Sequence, residues 1–325
     1  MPKKKNTISL ENLFDKEYIK KIFKKNILNP YILKTDFNIY KIKNYIGPDF
    51  EHVVASYVFK SENKQVDIYC SAHSDGTRKE TFKILKLVYQ ANITKQKPLF
   101  YDKKTQAMFY EGLSGHNLFR YIKRKKELDK LIINSAQKIA KLHQIKLSRK
   151  IPTFRINKKN IDPSNALKNR TAYRKEEIIS LHKDIKKTSR LVNIYKDKNY
   201  TTHGDFHPEN IIIGDKDNKA SIIDFTDLMC ADYTKDLGSF IQQFGFMSGS
   251  RYSDDKKDYY RQLFLDAYFK ERKIKQTSQI TDRIIFFQAW LALRSAIYYS
   301  TLPNMRNEAD ALIKECTSLL NKINH

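Results

Sequence analysis

Cysteine, glycine, proline and long apolar runs are all scarce in this chain of 325 residues. The three cysteines, Cys70, Cys230 and Cys316, are an odd number, far apart and without a CxxC pair. That excludes a disulfide framework and a zinc knuckle, and makes a reducing, cytoplasmic setting the expectation. Only 9 Gly and 8 Pro beside 12% aromatic residues exclude a low-complexity, disordered chain despite its charge. The longest apolar run, Ile284 to Leu293, is interrupted by Gln288 and stopped by Arg294. It is about half of the roughly 20 residues that cross a bilayer, so no membrane span is expected. Met1-Pro2-Lys3-Lys4-Lys5 has no apolar stretch behind it, so no secretory signal is expected either.

Acidic residues are the other shortage: 61 Lys and Arg stand against 36 Asp and Glu, a net charge of +25. The excess is uneven. Residues 1–115 hold 21 basic and 12 acidic residues, 116–200 hold 24 and 7, and 201–325 hold 16 and 17. A basic middle third suits anionic partners, nucleic acid among them. It equally suits a solvated lysine-rich helical face, the reading favoured here because charge runs are weak signals.

With 41% hydrophobic residues the chain can bury a core, and its length suggests two lobes. Leu10 to Leu28 has helical spacing. Residues 39–46 read as a strand ending at the Gly47-Pro48-Asp49 turn. Val53–Phe59 and Val66–Ala72 read as a hairpin. In its second strand Val66, Ile68, Cys70 and Ala72 share one face, and Asp67, Tyr69, Ser71 and His73 the other. Thr77–Gln90 reads as a helix, and Leu99–Tyr101 and Gln106–Tyr110 as strands. Gly112–Gly115 reads as a linker. Beyond it, Ile132 to His143 forms a one-sided helical stripe that His143 ends, as a packed core residue rather than a ligand. Residues 146–174 show no period. Glu176–Ile194 is helical, Ile211–Gly214 and Ala220–Asp224 are short strands, and Ile284–Ala296 is a buried helix. The expected fold class is α+β: a small β-rich N-lobe at 1–111, with a leading helix at 10–28, and a larger helical C-lobe at 112–325.

Chemistry concentrates at His203-Gly204-Asp205-Phe206-His207-Pro208-Glu209-Asn210, then Ile222-Ile223-Asp224-Phe225. A carboxylate, an amide five residues on and a second carboxylate beyond a hairpin are what phosphoryl transfer requires. The first can orient a hydroxyl and take its proton. The amide oxygen and the second carboxylate are hard ligands for Mg²⁺.

H-G-D-x-x-x-x-N followed by I-I-D-F, after a β lobe and linker, resembles the aminoglycoside phosphotransferase and choline kinase-like family, relatives of protein kinases. The likeness covers roughly residues 38–300 and includes Tyr110-Glu111-Gly112-Leu113-Ser114-Gly115, Lys141-Leu142-His143, and Asp232 with Asp236-Leu237-Gly238. It implies a two-lobed protein-kinase-like fold and an ATP-dependent, Mg²⁺-assisted phosphotransferase acting on a small-molecule hydroxyl. It implies Asp205 as the catalytic base and Asn210 and Asp224 as metal ligands. Glu80 would be the helix acid that pairs with a phosphate-binding Lys, and backbone groups at Glu111 and Leu113 would hold adenine. His203 and Asp227 would brace the loop.

Two departures from the pattern stand out. The strand position of the family's Lys falls near Ser71, with Lys60 on the neighbouring strand as a substitute, and glycine is thin before the hairpin. The missing Lys keeps a nucleotide-binding pseudokinase, or an anion- or RNA-binding protein, as the alternative. A metal hydrolase using His203, Asp205 and His207 on one strand face is a lesser one. The basic middle third points to a neutral or anionic acceptor rather than a polycation.

Overall fold

Alternation along residues 53–72 builds the first part of the molecule. In this computed structural model, which describes residues 10–46, 51–124, 128–147, 151–156, 167 and 172–323, the backbone divides into two compact units. One runs to Gly115 and includes 214–217 and 221–226; the other holds 116–213, 218–220 and 227 onward.

The first unit is a five-stranded antiparallel sheet of β1 (Phe37–Ile46), β2 (Glu51–Ser61), β3 (Lys64–His73), β4 (Pro98–Asp102) and β5 (Ala107–Glu111), in the order β1-β2-β3-β5-β4. Cys70 lies opposite Ala55 and Phe109, and Ser71 opposite Val54 and Met108. The period of two therefore sends Ile68, Cys70, Ala72, Ala55, Tyr57, Phe59 and Phe109 into one core. Leu13, Ile19 and Phe23 from the N-terminal segment close over it. The other face carries Tyr69 stacked on Tyr110, ring centroids 6.0 Å apart. Near that face runs α3 (Arg78–Gln90).

The expected single helix at 10–28 is two pieces, a 3₁₀ turn at Leu10–Phe14 and α1 (Lys16–Asn26), followed by the short α2 (Pro30–Lys34). Asp15 causes the break: its carboxylate accepts the Tyr18 N–H at 2.7 Å and caps α1. The Gly47-Pro48-Asp49 turn and most of the unpatterned stretch 146–174 lie outside the described residues.

The second unit is mainly helical: α4 (Leu118–Lys123), α5 (Asp129–Gln144), α6 (Lys175–Leu191), α7 (Thr234–Ser248), α8 (Asp254–Arg272), α9 (Ser278–Ser300) and α10 (Arg306–Ile323). Helix α9 is buried nearly all round, with Phe286, Phe287, Trp290 and Leu293 inside a core shared with Ile178, Ile185, Leu312 and Cys316. Short strands supply the rest: β6 (His116–Asn117), β7 (Tyr200–Thr202), β8 (Ile211–Ile213) and β10 (Met229–Ala231), while β9 (Ala220–Ile222) has its last two residues in the first unit. β6 pairs with β8, and β7 with β10, so Thr202 lies opposite Met229. The α+β class expected from the sequence is the class observed. Among the described residues no helix is long and apolar enough to cross a membrane.

Candidate active site

The loop that carries Asp205 begins where β7 ends, at Thr202, and its shape is imposed from below. Asp236, in the first turn of α7, is fully buried. Its Oδ2 accepts the His203 N–H at 2.6 Å and its Oδ1 the Gly204 N–H at 3.0 Å. Oδ2 also lies 2.9 Å from His143 Nε2, and His143 Nδ1 lies 2.7 Å from the Tyr268 hydroxyl. Burial alone would push the Asp236 carboxyl up; the His143 hydrogen bond and the charges beside it, Lys235 included, hold it down. Burial lowers His143 despite Asp236, so the ring is neutral, donating to Asp236 and accepting from Tyr268. The expectation of a packed core histidine holds, with the addition that it braces the loop's anchor.

Gly204 is required by that grip. Its φ is +88°, and a Cβ there would run into the Asp227 carbonyl oxygen. Asp227 thus meets the loop through its backbone. Lys235, buried beside Asp236, donates its ammonium to the Gly204 carbonyl. Asp232 pairs with Arg283 at 2.9 Å and caps the start of α7 through the Thr234 N–H and hydroxyl.

Asp205 projects from this turn with its side chain 45% exposed. Its N–H donates to His203 Nδ1 at 3.3 Å, and its Oδ2 lies 3.4 Å from His207 Nε2. Partial burial pushes the carboxyl up, but His207, with His203 and Arg294, outweighs it and holds the group at about 2. Pro208 starts a 3₁₀ turn that brings Asn210 back beneath the loop. Asn210 Nδ2 donates to the Asp205 carbonyl at 2.9 Å and lies 3.0 Å from His207 Nε2. Both contacts occupy the amide nitrogen and leave Oδ1 without a protein partner among the described residues.

The metal-hydrolase alternative loses its basis here. Residues 203–207 are loop, not strand, so His203, Asp205 and His207 share no face. Among the described residues no group of three or more His, Cys, Asp and Glu is placed to hold a metal ion.

In the first unit, Asp224 follows β9 and has φ +59°, an uncommon conformation for a residue with a side chain. Its Oδ1 accepts the Thr226 hydroxyl at 2.7 Å, and Oδ2 has no protein partner among the described residues. Hard oxygen atoms at Asn210 and Asp224 fit a Mg²⁺ ligand role chemically. At the end of β5, the Glu111 N–H donates to Lys97 and the Gly112 N–H to Asp67 at 2.7 Å. The Leu113 N–H makes no backbone hydrogen bond among the described residues. Glu80, in the first turn of α3, lies 2.9 Å from Lys83 of its own helix. Lys60 lies six residues from Val54, the partner of Ser71, along β2. That is about 20 Å of strand, beyond the reach of a lysine side chain.

The profile of the phosphotransferase enzyme family matches residues 52–273, more than half of the chain. The chain belongs to the phosphotransferase enzyme family. The match spans Asp205, Asn210, Asp224 and Asp236. Solved structures agree on the fold. An ethanolamine kinase from Plasmodium vivax is 15% identical, with a TM-score of 0.62, and the alignment covers 100% of this chain and 96% of that one. A choline kinase from Streptococcus pneumoniae is 14% identical at a TM-score of 0.62, covering 94% and 99%. A spectinomycin phosphotransferase, solved with ADP and spectinomycin, is 15% identical at 0.61, covering 95% and 98%. No curated protein matches the sequence.

Motif spacing marks Asp236 only as part of a pattern and gives no sign of Lys235, whose ammonium meets the Gly204 carbonyl.

Proposed function

We propose that this chain is a small-molecule kinase, moving the γ-phosphate of ATP to an alcohol group. The observation that carries the reading is the clamp of Asp236 on His203 and Gly204, which presents Asp205 from a fixed turn. Family membership supports phosphoryl transfer; ATP as donor rests on the same motif.

Asp205 accepts a hydrogen bond from the acceptor hydroxyl and aims its oxygen at the phosphorus. Held at about 2, it is a weak base and stays ionised. It therefore acts first by orienting the nucleophile, and takes the proton late, when the hydroxyl has become acidic by bonding to phosphorus. Such a role suits a loose transition state, where positioning matters more than deprotonation. Asn210 through Oδ1, and Asp224 through its carboxylate, would hold Mg²⁺, which when bound neutralises phosphate charge. Glu111 and Leu113 offer backbone groups to adenine, and Glu80 is the acidic residue of the neighbouring helix turn. In this division of labour residues 1–111 bind nucleotide, and 112–325 supply the catalytic loop and the acceptor site.

The acceptor is proposed to be neutral or anionic, given 24 basic against 7 acidic residues in 116–200. The test is transfer of labelled γ-phosphate to a panel of hydroxyl metabolites and antibiotics. Asp205→Asn is expected to lower kcat by about 10²- to 10⁴-fold with the circular dichroism spectrum unchanged. Full activity in that variant would end the proposed role of Asp205. Tight binding of kanamycin at physiological salt would end the charge argument about the acceptor. A pseudokinase, the reading prompted by Ser71, would bind Mg-ATP yet transfer nothing to any acceptor.

A further inference from the structure

Arg78 is the first residue of α3 and only 7% exposed. Its Nε donates to the Ser71 hydroxyl at 2.9 Å, and its Nη2 lies 3.1 Å from His52 Nε2. Both partners are uncharged. Ser71 carries no charge, and burial together with Arg78 itself lowers His52 to about 4, so that ring is neutral near pH 7. No carboxylate pairs with Arg78 among the described residues. A buried guanidinium without a counter-ion is costly. The helix makes it costlier, because the N-terminal end of a helix repels a cation. Arginine is thus the wrong residue for this position on local grounds, yet it is the lobe's only one. The conflict is resolved if the site is completed by an anion.

The surroundings say which anion. Arg78 and Asp224 act with opposite signs on two shared neighbours: Arg78 lowers and Asp224 raises both His52 and Tyr110. Asp224, the proposed metal ligand, folds into the same compact unit as Arg78. Ser71 also stands where the family resemblance expects a lysine, and Arg78 brings a positive charge to that place from the helix instead of the strand.

We propose that Arg78 is the phosphate-binding cation of this enzyme, gripping the polyphosphate of the nucleotide from the first turn of α3 with Ser71 and His52 as its braces. The inference rests on the nucleotide reading above and supplies the cation that reading lacked. The planar fork of Arg78 spends Nε and Nη2 on its braces, which leaves Nη1 for phosphate oxygens.

Calorimetric titration of the full chain with ATP, adenosine and tripolyphosphate, each with Mg²⁺, tests it. Arg78→Met is expected to weaken ATP at least tenfold, abolish tripolyphosphate binding and leave adenosine within twofold. Adding Ser71→Lys to that variant should restore most of the ATP affinity, which a merely structural arginine would not allow. If Arg78→Met fails to fold, Arg78→Gln keeps a hydrogen-bond donor while removing the charge, and the same losses are expected. ATP binding within twofold of wild type in a folded Arg78 variant overturns the proposal and leaves the kinase reading standing. Arg78-dependent binding of tripolyphosphate without any binding of ATP or adenosine keeps the anion site and overturns the nucleotide reading. Failure of the wild-type chain to bind either phosphate compound overturns both.

Discussion

Asp236 spends both carboxylate oxygens on the loop that holds Asp205, and its third contact, His143, is itself held by Tyr268. No part of this chain of contacts reaches solvent, so nothing screens it. Removing the carboxylate would strand two backbone N–H groups, a buried imidazole and the ammonium of Lys235. Asp236→Ala is expected to cost about 3–5 kcal/mol, the range for breaking a buried pair from one side. Urea denaturation measures this, and a loss under about 1 kcal/mol would contradict the anchoring role. Asp205 has the opposite profile: its side chain is half-exposed, and replacing it should cost activity far more than stability.

At the scale of elements, two helices of the second unit meet at Gly238. A Cβ there would lie 2.7 Å from the Phe287 Cβ and 2.8 Å from the Ile284 carbonyl oxygen. Glycine lets α7 approach α9 backbone to backbone, and that approach sets the depth of Asp236 two residues earlier. Gly238→Ala is expected to destabilise by about 1–3 kcal/mol through overpacking, and to lower kcat as well, because α7 carries the loop's anchor. Thermal denaturation alongside the transfer assay checks both; stability lost with kcat unchanged would show that α7 can shift without moving the loop. Strands show how far local pattern reaches. The alternation at residues 66–73 assigned both faces of β3 correctly, because side-chain direction in a strand depends on position alone. At the N-terminus spacing misleads, because apolar periodicity continues across the Asp15 cap while the helical backbone does not.

For the molecule as a whole, acid is the sensitive direction. Half-buried His52 and buried His143 are both lowered in the folded chain. As pH falls below 6.5 the unfolded chain takes up protons at these positions that the folded chain refuses, so stability falls with pH. For His52 this continues until about 4, where the folded ring also protonates. Self-repulsion from a net charge of +25 pushes the same way as carboxylates are neutralised. The expected result is a Tm that drops between pH 7 and pH 5, and a smaller drop in His52→Gln, whose amide oxygen still accepts from Arg78. An equal or larger drop in that variant would mean His52 is not a contributor.

The scarcity of cysteine, of long apolar runs and of acidic residues bounded this protein from the start, and the H-G-D-x-x-x-x-N and I-I-D-F strings located its chemistry. These are local facts: composition, alternation and spacing along one stretch of backbone. What clamps Asp205 and what partners Arg78 are not local. Asp236 reaches His143 across 93 residues of sequence and His203 across 33. Arg78 meets His52 across 26 residues and Ser71 across 7. The sequence alone determined the fold class and the residues of the motif, since periodicity and motif spacing are properties of the chain. Only the tertiary structure decided that a helix arginine stands beside Ser71 with no carboxylate paired to it among the described residues, because burial and pairing are settled by which distant segments fold together.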